Sequence, residues 1–148
     1  MMQNNFLKNK KIILSAGASG IGLATVKLLL SQGAFVYTCD IDKKNINKLK
    51  KNPYFNKKLF ISECDASKED EVKKFYKEVS NKTKKIDGLI NNIGIAGPTS
   101  PLEKIKSEDW EKTLQVNVNS HFYFTKYAIP MIKKSKHGSI INISSTAG

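Results

Sequence analysis

Short apolar runs and longer amphipathic stretches take turns along this chain. Lys11 to Ala16 (KIILSA) ends at a glycine cluster and reads as a buried strand; Phe35 to Cys39 (FVYTC), Leu59 to Cys64, Ile86 to Asn91 and Ser139 to Ser144 (SIINIS) read the same way. Between these runs the spacing becomes helical. Gly20 to Gln32 sets Ile21, Ala24 and Leu28 on one stripe and stops at Gly33. A Lys- and Asn-rich helix follows the second strand and breaks near Asn52 and Pro53. Ser67 is placed to cap the next helix, where Val72, Phe75, Tyr76 and Val79 fall at i, i+3, i+4 and i+7. A Gly/Pro-rich loop (GIAGPTSP) leads to a long helix from near Ser107 that carries Trp110, Leu114, Val118, Phe122 and Ile129. Pro130 has no N–H for the carbonyl of Lys126 and is expected to distort its last turns.

Strand and helix alternating at about 30 residues per unit predict an α/β fold, a doubly wound parallel sheet with helices on both faces and right-handed crossovers. Composition agrees. At 148 residues, 40% hydrophobic and 26% charged, the chain can bury a core, which excludes disorder, collagen-like repetition and a disulfide-stapled mini-protein. No apolar stretch approaches the roughly 20 residues of a membrane helix, and Phe6 and Leu7 make too small an apolar pair near the N-terminus for a secretory signal. A cytoplasmic protein is expected, with no membrane partner. Net charge is +12, yet all 25 basic residues are lysine. Arginine forks onto phosphates and base edges, so its absence argues against a nucleic-acid surface, while the positive field still favours an anionic ligand such as a dinucleotide. Cys39 and Cys64 have neither metal-ligand nor C-x-x-C spacing, so reduced thiols and no metal site are expected. Their places at the ends of neighbouring strands leave a disulfide open as the alternative.

The chemistry concentrates after the strands. Ser15-Ala16-Gly17-Ala18-Ser19-Gly20-Ile21-Gly22 is a glycine-rich turn running straight into a helix, where bare N–H groups and the helix dipole suit a diphosphate. It departs from G-x-G-x-x-G, since position 25 is Thr. Asp40, at the end of the second strand, is where a carboxylate accepts the adenosine ribose hydroxyls. This favours NAD over NADP, a preference that Lys43 and Lys44 weaken; the alternative is a solvated turn Asp, with Asp42 in the same loop.

These residues resemble the N-terminal portion of the short-chain dehydrogenase/reductase family, a Rossmann-like fold whose expected strand order is 3-2-1-4-5. Ser15 to Gly22 is similar to T-G-x-x-x-G-x-G, with Ser15 for Thr and Ala16 for the first Gly, in a geometry expected to suit Ala without strain. Asp65 in Cys64-Asp65-Ala66 matches the family's adenine-contacting Asp, and Asn91-Asn92-Ile93-Gly94 resembles N-N-A-G. Val116-Asn117-Val118 resembles the V-N segment of the long helix, and Gly138 to Ser145 the strand ending in the catalytic Ser. The similarity runs from about Lys10 to Gly148, with residues 1–10 read as an N-terminal extension and residues 11–148 as a NAD(P)-binding domain incomplete at its C-terminal end.

The resemblance implies Ser145 and Asn117 as catalytic residues. It implies Ser15, Gly17, Ser19, Gly20, Ile21, Gly22, Asp40, Asp65, Ala66, Asn91, Ile93 and Gly94 as the cofactor set. It further implies hydride transfer between a nicotinamide and an alcohol or ketone of 3-oxoacyl or hydroxy type. The family's acid/base Tyr and its Lys partner lie beyond the catalytic Ser, in a Tyr-x-x-x-Lys pair. Tyr37, Tyr54, Tyr76, Tyr123 and Tyr127 all precede Ser145. The expectation is therefore a piece of a longer, homo-oligomeric (dimeric or tetrameric) enzyme, inactive alone, with Ile140, Ile141 and Ile143 on an open edge. The alternative is a non-catalytic dinucleotide-binding module. His121 and His137 read as surface or capped residues, and Trp110 as core or interface.

Overall fold

Alternation within the strands builds two layers of core on one sheet. The computed structural model describes residues 6–52 and 57–145; Pro53, Tyr54 and the outermost residues of both ends, Gly148 among them, lie outside that range. The strands are β1 (Lys11–Ser15), β2 (Phe35–Asp40), β3 (Leu59–Glu63), β4 (Gly88–Asn91) and β5 (Ser139–Asn142). They pair in parallel, in the expected order β3-β2-β1-β4-β5. The helices are α1 (Gly20–Ser31), α2 (Lys43–Lys50), α3 (Glu69–Ser80), α4 (Ser107–Leu114) and α5 (Ser120–Ile132). Successive strand residues point to opposite faces. Ile12, Leu14 and Val36 pack with Val26 and Leu29 of α1, and Ile61 with Ile46 and Leu49 of α2. On the other face Ile13, Tyr37 and Cys39 meet α3 and α5.

The α3 pattern is borne out: Val72, Phe75, Tyr76 and Val79 are all buried, and Tyr76 Oη donates to the Phe124 carbonyl at 2.8 Å. Its start differs from expectation. Ser67 does not cap the helix; its hydroxyl donates to Asp65 at 2.6 Å, and Lys68 occupies the cap position, its side chain capping no backbone amide. Glu69, Asp70 and Glu71 in the first turn supply the negative charge the helix dipole favours there.

Two helices expose the stripe the sequence nominated. In α1 the buried residues are Gly22, Val26 and Leu29, while Ile21 is 69% exposed and Leu28 and Ala24 also face out. The helix is apolar nearly all round, so periodicity alone cannot choose its inner face. The same holds for the long helix. Ser120, Phe124, Ala128 and Met131 are buried, whereas Trp110, Leu114, Val118, Phe122 and Ile129 are exposed. A π-helical turn at Gln115–Asn119 joins α4 to α5 and shifts the register that a uniform helix would keep. The helix runs through Pro130 and ends at Ile132.

β5 is exposed along its whole length. Cys39 and Cys64 are buried free thiols rather than a disulfide. Their mutual hydrogen bond, together with burial, holds Cys39 well above the ordinary thiol pKa.

Candidate functional site

Because the sheet is parallel, the residues after each strand gather at one end of it. The order reverses between β1 and β4, the switch point where open α/β sheets bind ligands. The glycine-rich turn lies there, directly after β1. Ser15 is fully buried, and its hydroxyl accepts the amides of Asn92 at 3.0 Å and Ile93 at 3.2 Å, tying the turn to the β4 loop. The Asn92 side chain completes the tie by donating to the carbonyls of Ser15 (3.2 Å) and Ala16 (3.1 Å).

Two glycines allow close approach. A Cβ on Gly17 would collide with the buried Thr38 side chain, whose hydroxyl donates to the Leu14 carbonyl at 2.6 Å. One on Gly22 would collide with the Ala16 carbonyl. Gly20 differs: it sits at φ +49° with open space above it.

Ala16 departs from the expected unstrained geometry. Its φ of 57° is left-handed, a region that costs a residue with a Cβ roughly 1–2 kcal/mol. Ala16→Gly removes that cost and gives back about 0.4–1 kcal/mol in unfolded-chain entropy. A net stabilisation of roughly 0.5–1 kcal/mol is expected in urea unfolding; a loss of stability would contradict it.

The entrance to α1 has the features an anionic group needs. Ser19 and Gly20 are exposed, the Ser19 side chain makes no cap bond, and no acidic residue stands in the first turn. The first amides of a helix have no intrahelical acceptor, so a diphosphate fits here. Asp40 is only 8% exposed. Its Oδ2 accepts the Ala18 amide at 2.9 Å and its Oδ1 the Asp42 amide at 3.1 Å. Asp65 is likewise turned onto its own loop. Burial opposes its ionisation, but the Ser67 hydroxyl and amide and the Lys68 ammonium outweigh it and hold the carboxyl below the usual range. Ala66 is buried beside it in the core.

Asn91 is fully buried and donates to Thr125 Oγ1 (3.1 Å) and Asn142 Oδ1 (2.7 Å), so it braces β5 and α5 rather than facing the turn. Ile93 is half-buried and packs against the core, while Gly94 is exposed next to Asn117. Asn117, inside the π-helical turn, clasps the Ile95 backbone: Oδ1 accepts its amide at 2.8 Å and Nδ2 donates to its carbonyl at 2.9 Å. His121, one turn on, has Nε2 2.9 Å from the Ile93 carbonyl and is half-buried, whereas His137 is exposed. Trp110 is 52% exposed and lies outside the buried core of the described residues. Ser145 is exposed, shortly after β5.

A scan against family models matches residues 10–148 to the short chain dehydrogenase model. The chain belongs to the short-chain dehydrogenase/reductase family. Among curated relatives, it is 34% identical to 3-oxoacyl-[acyl-carrier-protein] reductase FabG of Thermotoga maritima over 143 residues, 96% of this chain and 58% of that protein. It is 35% identical to a tropinone reductase homolog of Arabidopsis thaliana, across 96% of this chain and 54% of that one. Among solved structures, a short-chain dehydrogenase/reductase from Brucella melitensis matches with a TM-score of 0.85 at 25% identity, covering 95% of this chain and 58% of the other. Aldohexose dehydrogenase of Thermoplasma acidophilum matches with a TM-score of 0.79 at 28% identity, covering 95% and 51%. The chain spans a little over half the length of the relatives it matches.

In this short-chain dehydrogenase/reductase chain, motif reading missed two residues, Asn92 and Thr38, which hold the turn from either side. One Tyr-x-x-x-Lys spacing does occur, from Tyr54 to Lys58. Tyr54 lies outside the described residues, and Lys58 donates to the Gly33 carbonyl at 3.2 Å. Lys58 precedes β3, at the end of the sheet away from the glycine-rich turn, so this spacing does not supply the family's acid/base pair.

Proposed function

We propose that residues 11–148 form the nucleotide-binding part of a NAD(P)-dependent oxidoreductase acting on an alcohol or carbonyl carbon. The observation that carries this reading is the open, amide-lined entrance to α1 at the switch point, with free space over Gly20 and no acid in the first turn. When bound there, the dinucleotide supplies the hydride chemistry. The chain's own residues hold and orient: Ser15 and Asn92 fix the turn, Gly17 and Gly22 let its backbone close up, and Asn117 fixes the loop after β4. Ser145 is assigned to hydrogen-bond the reacting oxygen of the substrate, and residues 11–148 are assigned no acid/base Tyr–Lys pair.

A 3-oxoacyl or related hydroxy compound is the substrate class suggested by the name of the Thermotoga maritima relative. A homo-oligomer is supported by the exposed apolar stripe of Trp110, Val118 and Phe122 on the long helix. Among the described residues no helix is long and apolar enough to cross a membrane, and a cytoplasmic location goes with this reading. Calorimetric titration of the 148-residue chain tests it. NADH or NADPH is expected to bind with Kd at or below about 1 mM, equivalent to about 4 kcal/mol. Without the Tyr–Lys pair, no ketone-dependent NADH oxidation is expected. Absence of binding heat for both coenzymes would overturn the proposal.

A further inference from the structure

The chain's two cysteines lie beneath the site without taking part in it. Cys39 of β2 has Ser62 of β3 as its register partner, so Cys64 stands two residues further along and one past the end of that strand. Both thiols are buried, at 1% and 2% exposure, in the same core cluster on the α3–α5 face of the sheet. They meet on the diagonal. In regular parallel sheet a two-residue offset across one strand spacing corresponds to about 8 Å between Cα atoms, beyond the roughly 7 Å that a disulfide spans without backbone movement. The backbone of both residues is wired into the site above them. The Cys39 carbonyl accepts the Gly17 amide at 3.0 Å, and the Cys64 amide donates to the Asp40 carbonyl at 2.9 Å. Asp65 and Ala66 follow directly. This end of the sheet is also weakly closed. β3 is an edge strand that pairs only with β2. The Ser62 hydroxyl is buried beside Cys39 with no partner among the described residues, a desolvated group that penalises the closed state.

We infer that Cys39 and Cys64 form a reversible oxidation site, closed to an internal disulfide by a low-molecular-weight disulfide and weakening coenzyme binding when closed. The effect on binding rests on the dinucleotide reading above. Burial keeps Cys39 protonated and unreactive while the sheet end stays closed. Local opening of an edge strand costs less than unfolding the sheet, and it exposes Cys64, past the strand end, first. The Cys64 thiolate attacks the external disulfide, forming a mixed disulfide and expelling one thiolate. The Cys39 thiolate then attacks the Cys64 sulfur and expels the second. The two protein thiols are oxidised, the external disulfide is reduced to two thiols, and the protons leave on them. Closing the diagonal draws Cys64 back toward Cys39, which breaks the backbone bond from Cys64 to Asp40 and shifts Asp65 and Ala66. The Asp40 carboxylate holds the Ala18 amide at 2.9 Å, so the displacement reaches the glycine-rich turn. A bridge strained in this way is one that thiol reductants reopen, which suits a switch rather than a permanent crosslink.

The test compares the reduced 148-residue chain before and after exposure, while folded, to excess glutathione disulfide. The expected product by mass spectrometry is a monomer lighter by its two thiol hydrogens. Both thiols should be lost to titration in denaturant and recovered after dithiothreitol. Calorimetric affinity for NADH or NADPH is expected to fall about tenfold on oxidation, the scale of one hydrogen bond's worth of fixation, and to return on reduction. Cys64→Ala and Cys39→Ala, each checked by thermal unfolding, are expected to keep the affinity of the reduced chain and to ignore the oxidant. Thiols that persist through the exposure, or a stable glutathione adduct or chain–chain dimer in place of the internal bridge, would overturn the inference. So would a bridge that leaves affinity unchanged, or an equal loss of affinity in a folded variant. In each of these cases the dinucleotide reading stands. A reduced chain that binds neither coenzyme would overturn both.

Discussion

Phe75→Ala destabilises the fold by about 3–5 kcal/mol, the range for truncating a fully buried aromatic. Phe75 is 1% exposed and sits at the centre of the aromatic cluster that binds α3 to α5 and to the sheet. Its ring centroid lies 5.5 Å from that of Tyr76, edge-on, 5.7 Å from Phe124 and 6.4 Å from Phe60. The cavity opens between rings held by a second constraint, the hydrogen bond from Tyr76 to the Phe124 carbonyl, so collapse into it is limited. For a chain of this size the loss corresponds to a fall in Tm on the order of 10 °C. Phe75→Leu keeps most of the volume and is expected to cost less than half as much. Leu102→Ala, at a position 77% exposed, is the control and should change stability by less than about 0.5 kcal/mol. A Tm within about 2 °C of the unaltered chain for Phe75→Ala would contradict the packing described here.

The α3 face that Phe75 heads was fully legible in the sequence, and the reason is contrast. Val72, Phe75, Tyr76 and Val79 stand among Lys, Glu and Asp, so a single rotation of the helix buries every apolar residue. α1 and the α4–α5 helix lack that contrast. Their apolar residues cover more than one face, and which face packs is decided by the sheet beneath, through Ile12, Leu14 and Val36 for α1 and through Ile13 and Leu89 for α5. The parallel sheet itself followed from the strand–helix alternation, because parallel neighbours require a crossover.

The site was legible by motif but not by role. Asn91 and Asn92 are adjacent in sequence, and strand alternation sends their side chains to opposite sides: Asn91 toward Thr125 and Asn142, Asn92 toward the turn. Asking where two consecutive amides at a strand end must point would have found Asn92. Thr38, a buried polar residue in an otherwise apolar run, carried a similar signal, since a buried hydroxyl needs a partner and finds the Leu14 carbonyl. The left-handed backbone of Ala16 left no trace in its residue type, because alanine ordinarily avoids that region. The inward turn of Asp40 depends on the Ala18 and Asp42 amides, which converge on it only in the folded loop.

Gly22→Ala is expected to lower affinity for NADH or NADPH by about 10- to 100-fold, the roughly 1.5–3 kcal/mol carried by a hydrogen bond to a charged group. Gly22 is buried in the first turn of α1, beneath the turn it supports. An added Cβ would overlap the Ala16 carbonyl oxygen and come within 2.8 Å of Asn92 Nδ2. Neither neighbour can give way at low cost. The Ala16 carbonyl is backbone in an already strained residue, and the Asn92 amide is committed to the carbonyls of Ser15 and Ala16. Relief comes only by moving α1 away from the turn, which carries off the amides at Ser19 and Gly20 that would receive the diphosphate. The same overlap costs about 1–3 kcal/mol of stability, so thermal unfolding must be followed beside binding to confirm that the variant is folded at the assay temperature. Gly88→Ala provides the contrast: a Cβ there meets the Ile12 side chain at 3.8 Å, ordinary van der Waals contact, and coenzyme affinity is expected to stay unchanged. Unaltered affinity in a folded Gly22→Ala variant would mean that the entrance to α1 does not hold the coenzyme.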